Sequence, residues 1–344
     1  MIDLHAHVVL DSVIGAAGPH GPDLDDGDLA SGRPPCFRVG DYELVGVRYR
    51  GTPFMDLDLR IAAMDERGID LQVLSPNPLT YFAHVEADWA DAFCRRHNDE
   101  LADLIAKRPD RLLGFAQIPM QDPTRAAIEL RRAVTELGLV APYLGTDLGR
   151  PIDDDSFDEV WAACVEIDVP VFFHPAPDGI GRPRRDERLA RFDADLWLGF
   201  LYEETLAVAT LVLGGVLDRF PTLDVCVSHG GGATAWLSER MEHAARTRPW
   251  AAADLATEGA VAARLRRLWW DAHVGGPRAF DALVGSFGTD RIVAGTNLAG
   301  WDDSRDPTHG REHLGAVLEQ NARRLLRLPH NVDTVNPPQP RESE

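Results

Sequence analysis

The sequence predicts a (β/α)8 TIM barrel, a closed ring of eight parallel strands surrounded by helices. Apolar, strand-like runs alternate with amphipathic helical runs along most of the 344 residues, which is the pattern of repeated βα units. One barrel accounts for this length, because such barrels take about 250 residues and more with insertions. Four histidines also stand where three predicted strands end, and in this fold the strand ends surround one shared mouth.

The eight strands and eight helices follow from these alternating patterns. Strands are expected near residues 2–8, 69–75, 112–117, 139–144, 169–174, 223–228, 267–271 and 291–296. Helices are expected near residues 56–67, 86–107, 123–136, 155–166, 197–219, 233–246, 277–286 and 306–327. Asp122-Pro-Thr and Asp154-Asp-Ser are strong helix starts, because an aspartate at the N-cap accepts a hydrogen bond from the first turn.

We expect residues 1–328 to form a single domain. Residues 11–55 are rich in Gly, Pro and Asp and then become strand-like, so they predict a small insertion after strand one, with a hairpin folded over the mouth. The irregular segment 175–195 follows strand five and should help to line the pocket. The Pro-containing tail 329–344 is predicted to be disordered.

The charge and the apolar pattern restrict the partners. A net charge of −20 disfavours nucleic acid and anionic membrane surfaces, which both require a basic footprint. It still allows a small carboxylate substrate, because a few arginines can reverse the field inside a cleft. No apolar run approaches the roughly 18–20 residues of a membrane span, and strand one starts at Ile2 without room for a signal peptide. A cytoplasmic location is therefore expected.

The lysine content favours a site with one metal ion. Lys107 is the only lysine among 35 Lys and Arg residues, and it lies at the end of a predicted helix. A Schiff-base lysine or a carboxylated lysine bridging two metals is therefore not expected in the mouth. The four cysteines form no C-x-x-C pair, so we interpret them as reduced, structural thiols.

Three histidines predict a metal centre. His5 and His7 alternate along one strand, so both imidazoles should face the barrel interior. His174 ends another strand, and its position should bring it to the same mouth. Imidazole ligands suit Zn, Fe, Ni or Mn. The alternative is a solvent-exposed His-x-His pair at the N-terminus.

His229 and Asn297 are two further strand-end residues. His229 precedes three glycines, which permit a sharp turn and close approach of a ligand. A neutral imidazole there is suited to general acid–base catalysis, although capping of the next helix is an alternative. Asn297 ends strand eight in Gly295-Thr-Asn-Leu, where a carboxylate would be the expected partner of a metal ion.

The chain resembles the amidohydrolase superfamily, in the branch that contains 2-amino-3-carboxymuconate-6-semialdehyde decarboxylase and related aromatic-acid decarboxylases. The resemblance covers roughly residues 1–328 and rests on many segments in the right order besides the histidines. These segments are Met64-Asp-Glu-Arg-Gly-Ile-Asp, Leu74-Ser-Pro, Asn98-Asp-Glu-Leu, Arg108-Pro-Asp-Arg, Pro119-Met-Gln-Asp-Pro, Phe173-His-Pro, Tyr202-Glu-Glu-Thr, Gly214-Gly-Val-Leu-Asp-Arg-Phe-Pro, His229-Gly-Gly-Gly and Asn321-Ala-Arg-Arg-Leu-Leu.

The resemblance implies a role for each site residue. His5, His7 and His174 match the family's metal ligands, and Asn297 falls where the family has a metal-binding, catalytic aspartate. His229 matches the catalytic histidine that moves protons. The remaining matches concern the substrate pocket, and they are Arg48 or Arg50, Arg240 and Arg248 as carboxylate-binding arginines and Glu204 as a pocket glutamate. Apart from the resemblance, Trp301 is an expected part of an aromatic wall of the pocket. The resemblance also implies a homodimer in which one arginine comes from the neighbouring subunit.

Asn297 changes the expected electrostatics, because an amide oxygen brings a dipole where a carboxylate brings a negative charge. Asp302, five residues later, could restore part of that charge by direct or water-mediated contact, or it could simply start the last helix. The expected cofactor is one divalent metal, Zn²⁺ with Mn²⁺ as the alternative.

The function implied is non-oxidative decarboxylation of an aromatic, heteroaromatic or conjugated unsaturated carboxylic acid. A decarboxylase depends less than a hydrolase on the missing aspartate, because it needs mainly an electron sink and a proton donor. Two alternatives stay open: hydrolysis of a lactone or amide, and a metal-poor, degenerate member that only binds a small molecule.

Overall fold

The computed structural model describes residues 1–28, 30–181 and 184–329, so the predicted tail from residue 330 onward lies outside the described residues. All eight predicted barrel strands are present, and three short strands precede the second of them. In chain order the strands are β1 Ile2–Val8, β2 Asp23–Asp25, β3 Cys36–Val39, β4 Tyr42–Val45, β5 Leu71–Pro76, β6 Leu112–Gly114, β7 Tyr143–Gly145, β8 Val171–His174, β9 Val225–Val227, β10 Trp269–Asp271 and β11 Ile292–Val293.

The barrel strands form two parallel arcs, β1-β5-β6 and β7-β8-β9-β10-β11. The first seam between the arcs is bridged by Ala116, which pairs with Pro142 in parallel. The second seam is bridged by Leu4, whose backbone N–H donates to the carbonyl of Ala294 over 3.0 Å. These contacts join neighbouring arcs at both seams, so the eight strands surround one interior as the sequence predicts.

The outer layer consists of ten helices among the described residues. They are α1 Leu57–Glu66, α2 Ala87–Ile105, α3 Pro123–Thr135, α4 Asp158–Glu166, α5 Phe200–Leu213, α6 Val216–Arg219, α7 Thr234–Thr247, α8 Ala260–Leu265, α9 Pro277–Phe287 and α10 Gly315–Leu325. The two expected N-caps are confirmed, because the side chain of Asp122 accepts from the N–H of Arg125 and that of Asp154 accepts from the N–H of Ser156.

Two predicted helices have different limits in the structure. The helix expected over 197–219 breaks after Leu213, because Gly215 adopts a left-handed φ of +78°. The last helix was expected from residue 306 but begins at Gly315. The side chain of Asp306 accepts hydrogen bonds from the N–H groups of Thr308 and Gly310 instead, which closes a turn in place of a helical start.

The segment after β1 forms a small antiparallel sheet with the order β2-β3-β4, which includes the expected hairpin. Its buried aromatic side chains form a chain of contacts, with Tyr49 lying 4.8 Å from Phe37 and 4.9 Å from Phe54 between ring centroids. These aromatic residues share an apolar cluster with Val8 and Leu74 of the barrel strands, which holds the insertion against the barrel.

The sequence-based expectation that no apolar run approaches the length of a membrane span is corrected by one element: among the described residues, the helical stretch Asp195–Leu213 is long and apolar enough by length and composition alone. One face of it packs against the barrel, where Glu204, Val208 and Leu211 are buried. Lys107, the only lysine, is exposed just beyond the end of α2.

Candidate active site at the barrel mouth

A β-bulge in β1 sets the direction of the first two histidines. Asp3 pairs with Gln72 and Ala6 pairs with Leu74, so two residues of β1 lie opposite one residue of β5. Bulges of this kind re-aim side chains and occur often beside active sites. His5 lies within the bulge, and both His5 and His7 are buried in the barrel.

Four strand-end imidazoles are each held through Nδ1 by a protein group. The partners are Asp271 Oδ2 for His5 at 2.6 Å, Pro76 O for His7 at 3.1 Å, Pro175 O for His174 at 2.7 Å and Glu204 Oε1 for His229 at 2.6 Å. An Nδ1–H that donates to an oxygen leaves the Nε2 lone pair free to bind a ligand. All four rings are therefore oriented as metal-binding or proton-transferring groups usually are.

The rings lie close together around His5. The distance between ring centroids is 5.3 Å from His5 to His7, 5.0 Å from His5 to His174 and 4.6 Å from His7 to His174. The His229 ring lies 4.9 Å from that of His5. Ligand atoms of His5, His174 and His229 all lie within 4.8 Å of one another, a spacing suited to one metal ion.

The pKa values of the three predicted metal-binding histidines are lowered, so their imidazoles are neutral, as metal binding requires. Burial lowers the pKa of His7 to about 3, and it holds the pKa values of His5 and His174 well below the ordinary 6.5. His229 differs. Burial by itself lowers the pKa of His229, but the charge of Glu204 and the hydrogen bond to it outweigh burial and raise the pKa to about 9.

Asn297, Asp302 and His273 form a hydrogen-bonded chain beside the histidines. The amide Nδ2 of Asn297 donates to Asp302 Oδ1 over 2.6 Å, and Asp302 Oδ2 lies 3.0 Å from His273 Nε2. Asp302 therefore does not start the last helix, which begins at Gly315. Its contacts place it within the site.

A cavity opens directly onto these polar groups. Its polar lining residues include His7, His174, His229, Asn297 and Asp302. The remaining lining is largely apolar and includes four aromatic side chains, Tyr49, Phe54, Phe200 and Trp301. A concave apolar pocket with a few convergent polar groups is the usual form of a small-molecule site.

The four arginines proposed from the sequence do not line this cavity. Arg48, Arg240 and Arg248 are exposed, and Arg50 is directed to carboxylates of Asp11 and Asp26 at 2.9 and 3.2 Å. None of the described residues that line the cavity is an arginine or a lysine. Within one chain the structure thus brings the predicted metal and acid–base residues together and leaves the predicted carboxylate-binding residues apart.

Glu204 also differs from its expected place. It is fully buried behind His229, and Ser228 donates to the same Oε1 atom that contacts the imidazole. It acts on His229 and does not line the cavity.

Sequence reasoning missed two residues of the site, Asp271 and His273. Asp271 ends β10 and accepts from His5, and His273 follows two residues later, 5.0 Å from the His5 ring. The sequence contained the information needed to find Asp271. It is a polar residue at the end of predicted strand seven, and polar residues at strand ends face the mouth of the barrel, as the four histidines do.

Three comparisons relate this geometry to known proteins. Residues 2–328 match the family model described as amidohydrolase. The chain is 30% identical over 246 residues to 2-amino-3-carboxymuconate-6-semialdehyde decarboxylase of Dictyostelium discoideum, covering 70% of this chain and 66% of the relative. It is 34% identical over 201 residues to gamma-resorcylate decarboxylase of Rhodococcus jostii, covering 54% and 59%. Both alignments span less than two thirds of the relatives' own length.

A solved structure agrees in fold over nearly the whole chain. The dihydroxybenzoic acid decarboxylase of Polaromonas sp., with bound manganese and the inhibitor 2-nitroresorcinol, superposes with a TM-score of 0.71 at 23% identity. The superposition covers 95% of this chain and 96% of that one. At this identity the likeness shows the common fold.

Proposed function

Because the chain belongs to the amidohydrolase family, we propose that it is a metal-dependent, non-oxidative decarboxylase of an aromatic, heteroaromatic or conjugated unsaturated carboxylic acid. The observation that carries this proposal is the convergence of His7, His174 and His229 on one aromatic-lined cavity. Two similar relatives are decarboxylases by name, which supports the same reaction class.

The residues present fit one divalent metal ion. His5, His7 and His174 would hold it through Nε2, with the Oδ1 atom of Asn297 as a neutral oxygen ligand. His5 Nε2 and Asn297 Oδ1 are both buried without a hydrogen-bond partner among the described residues, as expected of atoms that await a ligand. Three imidazoles favour Zn²⁺, although the structural relative contains manganese.

A bound divalent cation supplies Lewis acidity toward a substrate oxygen near the carboxylate. The chain's own residues position the substrate and move the proton. Tyr49, Phe54 and Phe200 enclose a flat, apolar ring and exclude water from it. The bond between the ring carbon and the carboxylate breaks, CO2 leaves, and the electron pair stays on the carbon. His229 donates a proton to that carbon and regains one from solvent, while Glu204 keeps its imidazole oriented.

A homodimer is proposed as part of this function, since no described cavity-lining residue of one chain is an arginine or lysine. Arg240 is exposed on α7, the helix that also carries Trp236 with 86% of its side chain exposed. Exposed aromatic and arginine residues on one helix are typical of an interface. Mixing inactive Arg240→Ala and His229→Ala proteins tests this idea. Partial recovery of activity is expected if each site uses an arginine from the neighbour, and no recovery would contradict it.

The reaction itself is tested by measuring CO2 release from a panel of ortho-hydroxylated benzoates and conjugated unsaturated acids, against opening of matched lactones and amides. We expect CO2 release that requires both the metal and His229. Lactone or amide opening without CO2 release would identify a hydrolase instead. Purified protein that binds metal only substoichiometrically and catalyses neither reaction would identify a degenerate binding protein.

A further inference from the structure

The backbone of Asn297 is fixed beside the first metal-binding histidine. Its N–H donates to the carbonyl of His5 over 2.7 Å, and its φ of +48° is a left-handed conformation that asparagine tolerates better than most residues. Since the backbone is held, the orientation of the side-chain amide alone decides whether its oxygen or its nitrogen faces the site.

One hydrogen bond decides that orientation. The Nδ2 atom of Asn297 donates to Asp302 Oδ1 over 2.6 Å. An ionised carboxylate only accepts hydrogen bonds, so a flipped amide would place two oxygens against each other without a proton between them. The Oδ1 atom therefore faces away from Asp302, and it is buried without a partner among the described residues.

Asp302 is itself held in place from the other side. Its Oδ2 atom lies 3.0 Å from His273 Nε2, and His273 is almost fully buried. The backbone N–H of His273 donates to Asp271 Oδ1 over 3.1 Å, and Asp271 also holds His5. The chain of contacts thus runs from Asn297 to His5 through three residues that lie outside the predicted ligand set, Asp302, His273 and Asp271.

Close packing removes the remaining freedom of the amide. Gly300 packs against the side-chain amide of Asn297. A Cβ atom on Gly300 would overlap with the nitrogen and oxygen of that amide. The amide is therefore confined between Gly300 and Asp302.

We propose that Asp302, anchored by His273, is a positioning residue that presents the Oδ1 atom of Asn297 to the metal centre. This inference rests on the metal centre of the proposed function. It explains how a neutral asparagine serves where a carboxylate would be expected: the acceptor oxygen of Asp302 holds the amide nitrogen of Asn297, and the amide oxygen is left facing the site. Outer partners of this kind commonly alter metal affinity by about 10–100-fold when they are removed.

Metal affinity, measured on full-length protein stripped of metal, tests the proposal independently of activity. Zn²⁺ and Mn²⁺ are titrated in competition with a chromophoric chelator. Asp302→Ala removes the acceptor and should weaken binding by about 10–100-fold. Asp302→Asn keeps an acceptor oxygen for Asn297 and should bind close to the wild type. Asp303→Ala is the matched control, since the neighbouring Asp303 is paired with Arg67 and should leave affinity unchanged.

Each result has one meaning. Unchanged affinity in Asp302→Ala would overturn the positioning role. Equal weakening in Asp302→Ala and Asp302→Asn would also overturn it, because the carboxylate would then act through its charge. Wild-type protein that binds no metal would overturn the metal centre and this inference with it. If Asp302→Ala does not fold by circular dichroism, Gly300→Ala replaces it. That variant displaces the amide from the opposite side and should weaken binding similarly, and unchanged affinity would contradict the proposal.

Discussion

Glu204 accepts a hydrogen bond from His229 over 2.6 Å between Oε1 and Nδ1, although the two residues belong to a helix and to a strand end 25 residues apart. Ser228 donates to the same carboxylate oxygen. The side chain of Glu204 is fully buried, so its carboxylate interacts with the imidazole without competition from bulk water. This contact fixes which imidazole nitrogen faces the cavity, and it keeps a proton available on the ring.

Replacing Glu204 by glutamine should therefore impair proton donation while leaving metal content unchanged. We expect turnover to fall by about 10–100-fold in Glu204→Gln, because an amide neither stabilises the imidazolium nor fixes its tautomer. Glu203→Gln is the matched control, since the adjacent Glu203 pairs with Arg185 at 3.3 Å instead. Steady-state rates and metal analysis of both proteins check the prediction, and equal rates would remove Glu204 from the mechanism.

His7 and His229 should respond oppositely to removal. His7→Ala is expected to lose metal, because His7 is taken as a ligand with Nδ1 already bonded to Pro76 O. His229→Ala is expected to retain metal and to lose about 10²-fold or more in turnover as the proton donor. The close grouping of His5, His174 and His229 makes this comparison necessary. Metal loss in His229→Ala with retention in His7→Ala would exchange the two roles.

Asp271 should control metal affinity through His5. Its Oδ2 atom lies 2.6 Å from His5 Nδ1, so Asp271→Asn weakens the acceptor that orients this ring. We expect metal affinity to fall by about 10–100-fold, measured by competition with a chelator. Asp224→Asn, which alters an aspartate just before the preceding barrel strand, should bind metal as the wild type does. Similar affinities in the two variants would contradict the role of Asp271 in orienting His5.

Asp224 should instead contribute to stability in a pH-dependent way. Burial raises the pKa of Asp224, but hydrogen bonds and charges from Trp269, Arg291 and Arg327 outweigh burial and lower it below 3.8. A lowered pKa gives stabilisation that is present above the unfolded value and is lost as pH falls through the folded value. Urea unfolding should therefore show Asp224→Asn to be less stable at pH 7, with the difference shrinking below about pH 4. A constant difference would contradict this linkage.

The glycines after His229 should tolerate no side chain. Gly232 has a φ of +65°, and a Cβ atom there would overlap with the carbonyl oxygen of Leu201. Gly232→Ala should lower the free energy of unfolding by about 2 kcal/mol or more, since backbone strain and steric overlap add. Gly285→Ala in α9 meets open space and should raise it by about 0.5–1 kcal/mol. Thermal unfolding of both variants checks the contrast, and equal effects would contradict it.

Much of the site could be predicted from the rule that residues at the ends of parallel barrel strands face one mouth. This rule needs only the local pattern of apolar residues that locates each strand. His5, His7, His174 and His229 were placed from the residues alone, and the structure brings the rings of the other three within about 5 Å of that of His5. Boundaries were less predictable where side chains close turns, as Asp306 does before α10. The arginines were assigned by resemblance, and their positions within one chain lie outside the cavity.

The sequence by itself determined the alternation of strands and helices, and with it the barrel and the histidines at its mouth. These properties follow from periodicity and from the rule that parallel strands end at one face. Only the tertiary structure decided which carboxylate holds which imidazole or amide of the site. The paired residues lie between 5 and 266 positions apart in the sequence. The pairs are Asp271 with His5, Glu204 with His229 and Asp302 with Asn297. Such pairs depend on the radial position of each side chain around the barrel, which hydrophobic periodicity does not encode.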